Sequence, residues 1–88
     1  MIWKVEWDER ALKELKKIDK QIQKEITHFI SQRIATKDDP KRFGKPLSHE
    51  KKGLWRYRVR DYRIICKIYE SEVLVLVVGI GHRSGIYA

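Results

Sequence analysis

The sequence predicts an α+β fold in the order β-α-α-β-β-β: an N-terminal strand, then a helical hairpin packed on one face of an antiparallel sheet. Three observations predict it. The chain opens on an alternating apolar–polar run, continues through two apolar series of helical period, and closes with three strand-like runs separated by short polar turns. With 88 residues and no internal repeat, low-complexity segment or linker, residues 1–88 are expected to form a single domain with one core. A chain of this size buries only about 60 to 65% of the surface that its unfolded form exposes.

In Ile2-Trp3-Lys4-Val5-Glu6-Trp7, Trp3, Val5 and Trp7 fall on one side and Lys4 and Glu6 on the other, as in a half-buried strand. Asp8 can cap a following helix with Glu9 in its first turn, and Ala11, Leu12, Leu15 and Ile18 recur at helical spacing, which predicts a helix from about 9 to 19. Ile22, Ile26, Phe29, Ile30 and Ile34 continue in helical steps, and Asp19-Lys20 leaves room only for a tight corner between the two helices. The polar positions there mix both signs (Lys13, Glu14, Lys16, Lys17, Lys24, Glu25) and read as a solvated face. Pro40, Gly44, Pro46 and Gly53 break any periodicity between Thr36 and Gly53, which predicts a loop. Leu54 to Arg60 then alternates strictly, and Tyr62 to Glu70 and Glu72 to Ile80 complete an antiparallel meander. Because Val73 to Val78 is apolar on both faces, the last strand is expected at a central position.

Charge is distributed unevenly. Residues 41 to 67 hold ten Lys/Arg against two acids, Glu50 and Asp61, and so carry the whole net charge of +8; the rest of the chain balances ten against ten. A single-sign field of this density opposes the compact state through self-repulsion. It is accounted for either by a polyanionic partner, a nucleic acid above all, or by a surface that merely keeps the protein soluble. The opening residues lack the basic segment and apolar run of a signal peptide, and no run approaches the ~18 apolar residues of a membrane span, so a soluble, cytoplasmic protein is expected. The single cysteine, Cys66, sits in an apolar strand, has no internal disulfide partner, and reads as a small buried hydrophobe.

Residues two apart in a strand share a face, so Arg56, Arg58 and Arg60 point one way while Trp55, Tyr57 and Val59 point into the core. A two-residue turn at Arg60-Asp61 would set Arg58 directly opposite Arg63, an unfavourable pairing of like charges. It has two explanations: an anion held between them, for which the planar guanidinium fork suits phosphate, or pairing with an acid elsewhere. The tail from Gly79 brings His82, Arg83 and Tyr87 to the end of the last strand, and side-chain parity leaves open whether His82 or Arg83 lies on the arginine face. His28, His49, His82 and Cys66 are scattered without ligand spacing, and neither a phosphate-cradling glycine motif nor an acidic cluster is present, so no metal or other cofactor is expected.

Asp8-Glu9-Arg10-Ala11-Leu12-Lys13-Glu14-Leu15 after the first strand, Tyr62-Arg63-Ile64 opening the second hairpin strand, and Gly81-His82-Arg83 followed by Ile86-Tyr87 together resemble the RelE branch of the RelE/ParE toxin superfamily. The resemblance covers nearly the whole chain. It implies the toxin half of a type II toxin-antitoxin pair, a ribosome-dependent endoribonuclease that cuts messenger RNA and is held inactive by a cognate antitoxin protein. The family's basic strand residues correspond to Arg56 and Arg58, its hairpin arginine to Arg63, and its C-terminal arginine and tyrosine to Arg83 and Tyr87. The best-known pattern has lysines where this chain has Arg56 and Arg58, a change that keeps electrostatic stabilisation and removes a proton-transfer role. Arg58, Arg63, Arg83 and Tyr87 are thus the implied catalytic set. Lys41, Arg42, Lys45, Lys51, Lys52 and Arg56 are the implied RNA-binding set, the first five suited to docking on ribosomal RNA. Two rivals belong to other classes: a ParE-like toxin that blocks DNA gyrase without cleaving anything, and an inactive basic RNA-binding module, which would need Trp55 and Tyr57 exposed for base stacking.

Overall fold

The computed structural model describes residues 1–47 and 53–82. β1 (Lys4–Trp7) leads into α1 (Glu9–Lys16) and α2 (Lys20–Phe29), which continues through a π-helical turn at Ile30–Ile34. A 3-10 turn at Pro40–Phe43 precedes β2 (Lys45–Pro46), and β3 (Leu54–Val59), β4 (Tyr62–Tyr69) and β5 (Leu74–His82) complete the described chain. The five strands form one sheet in the order β1-β5-β4-β3-β2.

The helices follow from their caps and their apolar faces. Asp8 accepts a hydrogen bond from the Arg10 amide at 3.0 Å and starts α1; Asp19 does the same for the Gln21 amide at 3.0 Å and starts α2. That second cap explains why α1 stops at Lys16 rather than at 19: the chain must leave helical geometry before Asp19 can cap. Ala11, Leu15, Ile26, Ile30 and Ile34 are buried against Tyr57, Ile64, Cys66, Ile68, Val75, Val77 and Ile80 from one face of the sheet. Ile18 is half-buried at the margin of this core, whereas Leu12, counted by the sequence pattern among the inward positions, is exposed. Trp3, Val5 and Trp7 pack on the same core, as the alternation in β1 predicts.

The sheet departs from expectation in two places. It is antiparallel from β2 to β5, but β1 runs parallel to β5, pairing Lys4 with Leu74 through Trp7 with Val77. The segment expected to be a loop contains the short strand β2, which lies beside β3 with Lys45 opposite Arg56 and Pro46 opposite Trp55. Pro46 is tolerated because β2 is an edge strand. β5 is interior, as its two-sided apolar character predicts, although β4 occupies the centre. A bulge between Ile65 and Cys66 shifts the β4–β5 register, so that Ile65 faces Gly79 while Cys66 faces Val77.

Candidate functional site: a basic cleft on the open face of the sheet

The β3–β4 hairpin closes with Val59 opposite Tyr62, so the turn is the two residues Arg60 and Asp61 and Arg58 does sit directly across from Arg63. Arg56 and Arg58 share the face of β3 that the helices leave uncovered, with Tyr57 buried beneath. β2 brings Lys45 alongside Arg56. These four cations line one cleft of about 180 Å³, whose remaining walls are Phe43, Gly44 and Tyr57; no acidic residue lines it among the described residues. Gly44 is required by close packing, since a Cβ there would lie 2.8 Å from the Tyr57 ring and 3.0 Å from the Arg56 carbonyl oxygen.

Two contacts orient the cleft. The Tyr57 hydroxyl donates to the Pro40 carbonyl at 2.7 Å, tying β3 to the 3-10 turn; burial raises its pKa well beyond the ordinary phenol value and keeps it a donor. Arg58 Nε donates to the Arg60 carbonyl at 3.0 Å. That commits one edge of the guanidinium to the turn and leaves the Nη nitrogens to engage two oxygens of an anion in parallel. Arg60 has left-handed backbone, φ 54°, and its side chain pairs with Glu25 of α2, which anchors the hairpin tip to the helical layer. The Arg60 hydrogen bond holds the Glu25 carboxyl below its ordinary pKa, and the same contact raises that of Arg60.

The residues proposed from sequence divide into three groups. Arg56, Arg58, Arg63 and Lys45 converge. Lys41 and Arg42 lie apart from them: Lys41 pairs with Glu70 and sits 5.6 Å from the Trp55 ring centroid, and Arg42 pairs with Asp38 at 3.6 Å while stacking 4.7 Å from the centroid of Phe43. Lys51, Lys52, Arg83 and Tyr87 lie outside the described residues. His82 ends β5 opposite Tyr62, edge-on to its ring at 5.4 Å, on the core-facing side of the sheet and therefore on the opposite face from Arg58 and Arg63. The parity that the sequence left open is thereby decided against His82 as a neighbour of the arginines. Phe43 and Gly44 escaped sequence reading, and the Gly-Lys-Pro stretch was the available signal that the chain passes close to something there.

A larger open groove of about 840 Å³ runs along α2, the π-helical turn and Phe43. Its charges are mixed, and its acids Glu25 and Asp38 pair with Arg60 and Arg42, so it lacks the single-sign field of the smaller cleft. Cys66 is buried, and burial pushes its thiol pKa up to about 12, which fits a packing role. No helix among the described residues is long and apolar enough to cross a membrane.

Comparison with known proteins places this architecture. The profile of the ParE toxin of type II toxin-antitoxin systems, parDE, matches residues 5–87. The chain is 28% identical over 87 residues to Toxin RelG of Mycobacterium tuberculosis, covering 99% of this chain and 98% of the relative. It is 29% identical over 77 residues to Toxin RelE of the same organism, covering 88% and 77%. Among solved structures, a chain of the RelBE2 toxin-antitoxin complex from Mycobacterium tuberculosis superposes with a TM-score of 0.84 at 25% identity, covering 96% of this chain and 94% of that one. The isolated E. coli RelE toxin shares the fold at a TM-score of 0.73 and 21% identity, covering 97% and 90%. With a family profile spanning residues 5–87 and Toxin RelG matched nearly end to end, the chain belongs to the ParE toxin family of type II toxin-antitoxin systems, as a RelE-like toxin of the RelE/ParE superfamily.

Proposed function

We propose that this toxin is a ribosome-dependent endoribonuclease that cleaves messenger RNA without a metal ion and so inhibits translation. The observation that carries this reading is the single cleft that Lys45, Arg56, Arg58 and Arg63 line together, with no acid among its described lining residues. Such a field suits the phosphodiester backbone, whose charge rises when a fifth oxygen approaches phosphorus. The toxins RelG and RelE among its relatives favour the same reading.

In the proposed reaction the 2′-oxygen of one nucleotide attacks the adjacent phosphorus, the bond from phosphorus to the 5′-oxygen breaks, and a 2′,3′-cyclic phosphate and a free 5′-hydroxyl result. Arg58 and Arg63 hold the scissile phosphate and stabilise its added negative charge. Tyr87 takes the proton from the 2′-hydroxyl. Arg83 donates a hydrogen bond to the departing 5′-oxygen. Arginine stays protonated, so the proton that completes this hydroxyl comes from water or a ribosomal group. His82, on the other face of the sheet, is a poor candidate for that step. Lys45 and Arg56 extend the phosphate track, and Lys41, Arg42, Lys51 and Lys52 dock on ribosomal RNA.

Solved relatives that are toxin-antitoxin complexes, RelBE2 of Mycobacterium tuberculosis among them, support a cognate antitoxin as the protein partner. An acidic segment of the antitoxin would neutralise the cleft. The ParE-like alternative, gyrase inhibition by protein contact, draws on the matching family profile itself. Primer extension on a defined message in a translating extract separates the two, with ribosome-free RNA and Tyr87→Phe run alongside. Cuts confined to ribosome-bound message and lost in the variant are expected. Intact message in every lane, together with loss of DNA supercoiling, would replace this reading with the gyrase one.

A further inference from the structure

β1 accompanies β5 only as far as Val77: Trp7 pairs with Val77, and the Asp8 amide donates to the Val77 carbonyl at 2.9 Å before the chain turns into α1. Past Val77, β4 still flanks β5 on one side, pairing Ile64 with Ile80, Arg63 with Gly81 and Tyr62 with His82. On the other side no strand continues among the described residues, so the outward amides there need another acceptor.

Glu14 of α1 supplies one. Its Oε1 accepts from the Ile80 amide at 3.0 Å, a half-buried contact between residues 66 positions apart. The same oxygen would lie 3.6 Å from a Cβ on Gly79, an ordinary van der Waals distance, so the carboxylate lies beside the strand at both residues. Glu9 on the same helix, by contrast, faces Lys13 at 3.6 Å on the exposed surface. Sequence pattern places Glu14 on a solvated face, yet it is the helix's charged link to the sheet. The contact also sits just beyond the bulge at Ile65/Cys66, which interrupts the β4–β5 register.

We infer that Glu14 is a positioning residue for the basic cleft. By gripping the Ile80 amide it fixes the end of β5 and keeps Gly81 opposite Arg63. The catalytic consequence rests on the ribonuclease reading; the grip on β5 does not. Gln at position 14 retains an acceptor oxygen and Ala removes it, so the two variants separate positioning from charge.

The test compares the full-length wild type, Glu14→Gln and Glu14→Ala by amide hydrogen exchange and by single-turnover cleavage of ribosome-bound message. In Glu14→Ala, exchange at Ile80, Gly81 and His82 should quicken about tenfold or more while Tyr57 and Ile64 stay protected, and in Glu14→Gln it should stay within about threefold of wild type. Cleavage in Glu14→Ala should fall about tenfold in rate at saturating ribosomes with little change in half-saturation, and Glu14→Gln should restore it. Unchanged exchange at Ile80 in Glu14→Ala would overturn the inference, and so would loosening spread evenly across the sheet. If the wild type itself leaves message intact, the ribonuclease reading fails, and the grip on β5 stands or falls on the amides alone.

Discussion

Arg58 and Arg63 face each other across adjacent strands with like charge, a pairing that is unfavourable in itself and that an anion between them would relieve. Arg58→Ala should therefore change the urea midpoint by the equivalent of less than about 1 kcal/mol, because its Nε bond to the Arg60 carbonyl is exposed. Gly44→Ala should behave oppositely, with unfolding at lower urea by about 1–3 kcal/mol and little change in m, since its Cβ would press on the Tyr57 ring and the Arg56 carbonyl. Cys66 gives a pH signature. Its thiol titrates near 9 in the unfolded chain and near 12 when buried, so the folded state holds the proton more tightly, and the stability present below pH 9 should decline between pH 9 and 12. Denaturation midpoints across that range should fall less steeply in Cys66→Val, which removes the titrating group. The facing arginines were legible because a two-residue turn fixes hairpin register. The need for glycine at 44 was not, because the ring it must clear comes from a residue 13 positions away with no local signal.

At the scale of elements, the helices and the three long strands follow local pattern, and where they stop follows caps. Asp19→Ala should lower stability by about 1 kcal/mol, seen as a lower thermal midpoint by circular dichroism, because it removes the acceptor for the Gln21 amide at the start of α2. The parallel pairing of β1 with β5 could not be read from the sequence, since alternation says which face a strand buries and nothing about the direction of a distant neighbour. β2 escaped for another reason: two residues, one of them proline, are too few to show a period, and the strand exists because β3 offers it a ladder. These omissions matter functionally. β2 carries Lys45 into the cleft, and the end of β1 leaves the β5 edge that Glu14 occupies.

Over the whole molecule, the charge excess is partly compensated by acids remote in sequence. Arg60, Arg42 and Lys41 pair with Glu25, Asp38 and Glu70, all outside the segment that holds the excess, so a local tally overstates the free positive field there. Lys45, Arg56, Arg58 and Arg63 remain gathered against a wall without acids among the described residues. On this account, affinity for ribosome-bound message should fall steeply with salt, and Lys45→Ala should reduce the slope of log affinity against log salt by about one, as loss of one phosphate contact requires. Cleavage should respond far more sharply to the facing arginines. The deciding measurement is single-turnover cleavage of ribosome-bound message by Arg58→Ala and Arg63→Ala, with Lys24→Ala in the mixed-charge groove as control. Losses of about a hundredfold or more in both cleft variants, against about threefold or less in the control, are predicted. Cleft variants that cut as fast as the wild type, or a Lys24→Ala loss as large as theirs, would contradict the assignment of the cleft as the phosphate-holding site.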